Sequence, residues 1–151
     1  AALADAASII NDITGLRANR RLAKLIAKNG ASIALMHMQG TPHTMQRSPR
    51  YRDVVREVKA SLKRSAAVAR EAGIPPSHIL IDPGFGFGKT MEHNFSLLSG
   101  LDEFSSLGYS VLVGLSRKSF LGNLLGLPVG QRLNVSVMAA CGLAGGLETD
   151  G

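Results

Sequence analysis

The residues able to do chemistry gather at four places, each where an apolar run gives way to polar side chains. They are Asn11-Asp12, His37 with Gln39, Asp82, and Ser116-Arg117-Lys118. Asp82 closes the apolar run of "ILIDPGFGFGKT", residues 79–90. A carboxylate at the end of a buried segment needs hydrogen-bond donors to offset its desolvation. A planar heterocycle with amino and ring N–H groups would supply them. Pro83 and Gly84 turn the chain, glycines at 84, 86 and 88 would let backbone approach a ligand closely, and Phe85 and Phe87 would offer an aromatic wall. The competing account is a glycine-rich turn whose phenylalanines plug the end of the fold, and composition alone leaves both open. A phosphate-binding loop is excluded by spacing. Gly88-Lys89-Thr90 would end such a loop, but the position five before Gly88 is Pro83. A dinucleotide fingerprint starting at Gly84 would need a glycine where Lys89 stands.

The stretch "GLSRKSF" (114–120) is the second candidate. Arg117 and Lys118, placed after a strand and at the start of a helical run, would bring cations and free backbone N–H groups to a bound anion. The plainer reading is a solvated charged turn. His37 has no second ligand spaced from it as a metal site requires, so it reads as structural.

What must position these groups is a set of β-type runs: residues 7–12, 31–38, 78–84 and 109–116. They are nearly continuous apolar segments, as expected for strands buried on both faces of a parallel sheet. Helical patterns fill the gaps. Residues 17–28 put Leu22, Leu25 and Ile26 on one face and scatter basic residues over the other. Residues 51–72 carry a stripe of Val54, Val55, Val58, Leu62 and Ala66, and residues 91–106 carry Phe95, Leu97, Leu98, Leu101 and Phe104. Gly30, Gly73 and Gly108 stand where left-handed caps belong, just past a helix and just before a strand. The expected order is a helix followed by four strand–helix units, an α/β fold in one domain over 1–151. In such a sheet all strand C-termini share one edge, so the four polar ends converge there. About forty residues separate the second and third strands, more than one helix needs, and the polar excess at 39–50 suggests a functional loop.

Bulk properties narrow the classes. With 45% hydrophobic and 19% charged residues the chain is globular, and no apolar run is long enough to span a bilayer. One cysteine, Cys141, cannot form an internal disulfide, and no basic leader opens the chain, so a cytoplasmic setting is expected. The net charge of +6 is scattered, and with no tryptophan and 5% aromatics a nucleic-acid platform is not expected. A small anionic substrate suits the charge better.

The segments "INDI", "LMHMQGTPHTMQ", "DPGFGFGKTMEHN" and "VGLSRKSFLG", in this order and spacing, resemble dihydropteroate synthase, a pterin-binding transferase of folate biosynthesis. The resemblance runs from about residue 8 to residue 140. It implies a TIM (β/α)8 barrel, present here as a partial barrel of about four parallel βα units. The implied reaction joins 6-hydroxymethyl-7,8-dihydropterin pyrophosphate to 4-aminobenzoate and releases pyrophosphate, with sulfonamides competing for the aminobenzoate site. By the same resemblance Asn11 and Asp82 would hydrogen-bond the pterin edge, Met36 would pack on its face, and Lys118 would reach its ring carbonyl. Gly86 and Phe87 would line the aminobenzoate pocket, Gly114 would contact substrate and Ser119 would lie near the aminobenzoate carboxylate, while Arg117 stays the anion candidate that its place before a helical run suggests. The catalytic pair would be Lys118 and Asp82. Mg²⁺ is the implied cofactor, but the family asparagine that holds it, like the terminal Arg and His for pyrophosphate, has no counterpart here. No metal ligand is therefore assigned, and the chain alone is expected to bind pterin weakly without making dihydropteroate. A homodimer is expected, with no nucleic-acid or membrane partner. The alternatives are a pterin-dependent methyltransferase on the same barrel and a non-catalytic pterin-binding fragment.

Overall fold

The computed structural model describes residues 9–116, 118–124, 126 and 128–146. The chain forms two compact units, Ala1–Val113 and Gly114–Gly151. The first holds a four-stranded sheet in the order β1-β2-β3-β4. Its strands are β1 (Ile9–Asp12), β2 (Ser32–Met36), β3 (Ile79–Asp82) and β4 (Ser110–Val111), and every neighbouring pair is parallel. A doubly wound sheet reverses its strand order partway, whereas an order that follows the sequence is that of a (β/α)8 barrel wall. The helix expected ahead of the first strand would fall on residues outside the described ones.

Helices α1 (Arg21–Lys28), α2 (Val54–Glu71), α3 (Met91–Ser99) and α4 (Asp102–Ser105) connect these strands. The core lies between sheet and helices, where Ile33, Leu35 and Ile79 pack with Ala23 and Ile26 of α1 and Ala66 and Ala69 of α2. On α1 the buried stripe is Ala23 and Ile26, while Leu25, expected inside, is 49% exposed. Helix α2 starts on Asp53, whose carboxylate accepts from the Arg56 amide at 3.0 Å. The helical run expected over 91–106 breaks at Gly100, which packs against Val55 so closely that a Cβ there would stand 3.0 Å from Val55 Cγ2. Gly30, Gly73 and Gly108 take the expected left-handed φ of 64°, 96° and 76°.

The fourth strand departs most from expectation, with two paired residues where the apolar run spans 109–116. Apolar content reports burial, not pairing. One further bond, from the Leu112 amide to Ile81 O at 2.8 Å, ends the ladder. The second unit contains α5 (Ser119–Leu124) and α6 (Leu133–Gly146).

Candidate pterin site

Register decides which polar strand ends can share a ligand. Parallel partners point to the same face, and each step along a strand switches face. Met36 pairs with Asp82, and Asn11 pairs with Ala34, two residues before Met36. Asn11, Met36 and Asp82 therefore project from one face of the sheet, the face turned away from the helices, at the strands' C-terminal ends. Asp12 pairs with Leu35 of the core and projects toward the helices. Of two adjacent polar residues, only Asn11 joins Asp82.

The two aspartates are held differently. Asp12 accepts from the Thr14 amide and hydroxyl at 2.9 and 2.8 Å through Oδ1, and from the Leu16 amide at 2.7 Å through Oδ2. It caps a turn in which Gly15 and Leu16 both take positive φ, 58° and 62°. The Ser65 hydroxyl of α2 fastens that turn by donating to Gly15 O at 2.8 Å. Asp82 is 7% exposed and accepts from the Gly84 amide through Oδ1 at 2.7 Å. Met36 is 3% exposed, and Asn11 is exposed.

The loop after β3 is wired from every side. The Gly84 amide goes to Asp82, the Gly86 amide to Asn94 Oδ1 at 2.7 Å, and the Phe87 amide to Gly84 O at 3.1 Å. Those three amides are committed and do not serve a phosphate. Its carbonyls are held as well. Lys89 Nζ donates to Gly84 O and Phe87 O, both at 2.9 Å; Gln46 Nε2 donates to Gly86 O at 2.7 Å; and Tyr51 Oη donates to Gly88 O at 2.9 Å. Burial beside Glu57 raises the Tyr51 phenol to about 12, so it stays a donor.

The two accounts left open for this loop divide between its residues. Gly84 and Gly88 serve close approach, but to the chain. A Cβ on Gly84 would collide with His37 O, and one on Gly88 would sit 2.9 Å from Gln39 O. Phe85 is 1% exposed and belongs to the core, so Phe87, which is half-buried beside Gly86, remains as the aromatic edge.

His37 lies on the helix side. It lines a cavity of about 290 Å³ with Arg17, Tyr51, Glu57 and Arg64, and its Nδ1 stands 3.2 Å from Lys89 Nζ. Burial, then the nearby Lys89, Arg17 and Arg64 charges, lower its pKa to about 3, so the ring is neutral. Among the described residues no three His, Cys, Asp or Glu side chains come together as a metal site. The implied Mg²⁺ is assigned no ligand among these residues.

Gly114, Lys118 and Ser119 belong to the second unit. Gly114 is exposed with open space around it. Lys118 is half-buried, its amide donates to Leu115 O at 3.3 Å, and Ser119 opens α5. Because β4 ends at Val111, Lys118 follows a loop rather than a strand directly. Arg117 lies outside the described residues. Sequence reasoning missed Gln46, Tyr51, Lys89 and Asn94 as the groups that shape the loop. The excess length at 39–50 was the available signal for Gln46, and nothing local marked the other three.

The wall is built of parallel βα units with an aspartate, an asparagine and a methionine on one face at the strand ends, and the family model for pterin binding enzymes matches residues 1–148. The chain belongs to that family. Its relatives include the dihydropteroate synthase of Escherichia coli strain K12, 46% identical over 134 residues, which cover 89% of this chain and 47% of that protein. The Haemophilus influenzae dihydropteroate synthase is 44% identical, across 87% of this chain and 48% of its own length. Among solved structures, dihydropteroate synthase from Thermus thermophilus in complex with 6HMPPP superposes with a TM-score of 0.89 at 48% identity, over 95% of this chain and 57% of that one. The same enzyme in complex with 4-aminobenzoate gives 0.86 at 49% identity, over 92% and 56%. The chain spans about half the length of the curated relatives it matches. No helix among the described residues is long and apolar enough to cross a membrane.

Proposed function

We propose that this chain is the pterin-binding portion of a dihydropteroate synthase, a transferase that joins 6-hydroxymethyl-7,8-dihydropterin pyrophosphate to 4-aminobenzoate. The observation that carries the reading is the shared face of Asn11, Met36 and Asp82, set by the β1–β2–β3 register. Asp82 accepts hydrogen bonds from the pterin's amino and ring N–H groups, Asn11 completes the edge, and Met36 covers the ring face. The negative charge of Asp82 also steadies the cationic pterin left when the C–O bond to pyrophosphate breaks and the leaving group takes the bonding pair. The arylamine nitrogen then bonds to the exposed methylene and loses a proton. Gly86 and Phe87 line the aminobenzoate side. Gly114, Lys118 and Ser119 are assigned to substrate, Lys118 toward the pterin carbonyl and Ser119 toward the aminobenzoate carboxylate, with Arg117 for an anion. Mg²⁺ would be held by groups outside this chain. A homodimer in the cytoplasm is the expected working form.

Calorimetric titration of a pterin into the chain and into Asp82→Asn tests this reading. The amide keeps an oxygen for Gly84 but removes the charge and turns an N–H₂ toward the ligand's own donors. A loss of about 1.5–3 kcal/mol, roughly 10- to 150-fold in Kd, is expected. Equal affinities would remove Asp82 from the site.

A further inference from the structure

We propose that Lys89 is a positioning residue whose buried ammonium sets the shape of the 84–88 loop and thereby the binding of the aminobenzoate partner. Lys89 is 4% exposed. Its Nζ reaches Gly84 O and Phe87 O at 2.9 Å each, His37 O at 3.4 Å and His37 Nδ1 at 3.2 Å. Gly84 and Phe87 close one turn through the bond from the Phe87 amide to Gly84 O. Their carbonyl dipoles converge on a single point, where they would repel one another without a cation between them. The same ammonium ties that turn to the end of β2 through His37. Gln46 and Tyr51 hold the intervening carbonyls of Gly86 and Gly88 from the 39–51 side.

This arrangement splits the two substrates. Asn11, Met36 and Asp82 stand on paired strands and owe their positions to the sheet. Gly86 and Phe87 stand on the loop and owe theirs to Lys89 and Gln46. Loosening the loop therefore weakens the partner held by Phe87 more than the ligand held by Asp82. The inference rests on the synthase reading for the identity of that partner.

Two measurements on the whole chain test it, with Lys89→Met, which keeps side-chain length without charge, and Gln46→Ala, which removes one exposed clasp. In amide hydrogen exchange, Lys89→Met should speed the Phe87 amide at least tenfold. The Ala31 and Leu112 amides, bonded to Ile26 O and Ile81 O, should stay within about twofold. In titrations, 4-aminobenzoate should weaken at least tenfold in Lys89→Met and about threefold in Gln46→Ala, with pterin affinity within threefold in both. Equal acceleration of all amides, or equal weakening of both ligands, would show a merely structural lysine and overturn the proposal. Should Lys89→Met not fold, Gln46→Ala carries the same contrast, and an unchanged Phe87 amide in it overturns the proposal. A wild-type chain that binds neither ligand would remove the synthase reading, while the exchange contrast would still decide the role of Lys89.

Discussion

Asp12 and Asp82 are the same residue type, each the last residue of a parallel strand and each bonded to the backbone of the loop that follows. They differ in parity. Asp12 pairs with Leu35 and is turned toward the helices, where its two oxygens accept three hydrogen bonds from Thr14 and Leu16. Asp82 pairs with Met36 and is turned to the opposite face, where it shares the strand ends with Asn11. A slip of one residue would exchange these roles. A strand-end carboxylate thus faces the helices or the opposite side according to the register, and residue type alone does not say which.

The comparison can be broken hardest at the loop of Asp82. Gly84→Ala would drive a methyl group into His37 O at a backbone φ of 71°. Both the clash and the left-handed strain must be relieved by moving the β2 end, so a loss on the order of 4 kcal/mol or more is expected by chemical denaturation. A loss under about 1 kcal/mol would mean that the loop and the β2 end are not packed as described.

Acid comes next. His37 has a folded pKa of about 3, below its ordinary 6.5. Between those values the unfolded chain binds a proton that the folded chain refuses. Its contribution is therefore complete above about pH 6.5 and is lost as pH falls toward 3, by roughly a few kcal/mol. NMR titration of the His37 ring should show no inflection between pH 5 and 8. An inflection near 6.5 would place the ring in water and detach it from Lys89.

The smallest expected effect sharpens the comparison most. Asp12→Asn presents an N–H₂ to the Leu16 amide and should cost about 1–2 kcal/mol of stability while leaving pterin affinity within twofold. Asp82→Asn should do the reverse, with large loss of affinity and little loss of stability. Matching profiles for the two variants in denaturation and titration would erase the distinction between the faces.

The sheet was legible because its strands are apolar runs, and β2 and β3 begin just past the left-handed Gly30 and Gly73, a local signal for a parallel buried strand. The extent of β4 was not, since Leu112 to Leu115 continue the apolar run beyond the two residues of the strand. At the site, Asn11, Met36 and Asp82 could be named from motif resemblance, and their common face follows from register, which no single segment contains. The glycines at 84 and 88 were visible as glycines, yet the atoms that require them belong to residues 37 and 39, far away in sequence. Lys89 looked like the lysine of a phosphate loop. Its partners are carbonyls that converge only after the loop has closed, so its role is written in tertiary structure alone.

The strand order β1-β2-β3-β4 has a consequence for synthesis on the ribosome. Each strand's neighbour is the one made just before it, so the sheet can grow by one edge as the nascent chain emerges, with no gap held open for a later arrival. At about 5–20 residues per second, β2 follows β1 within a few seconds. The loop after β3 is different, because it waits for Asn94 on the next helix before the Gly86 amide has its partner. Nascent chains whose loop has emerged while that helix is still inside the exit tunnel should then protect the sheet from protease while the glycine loop is cut.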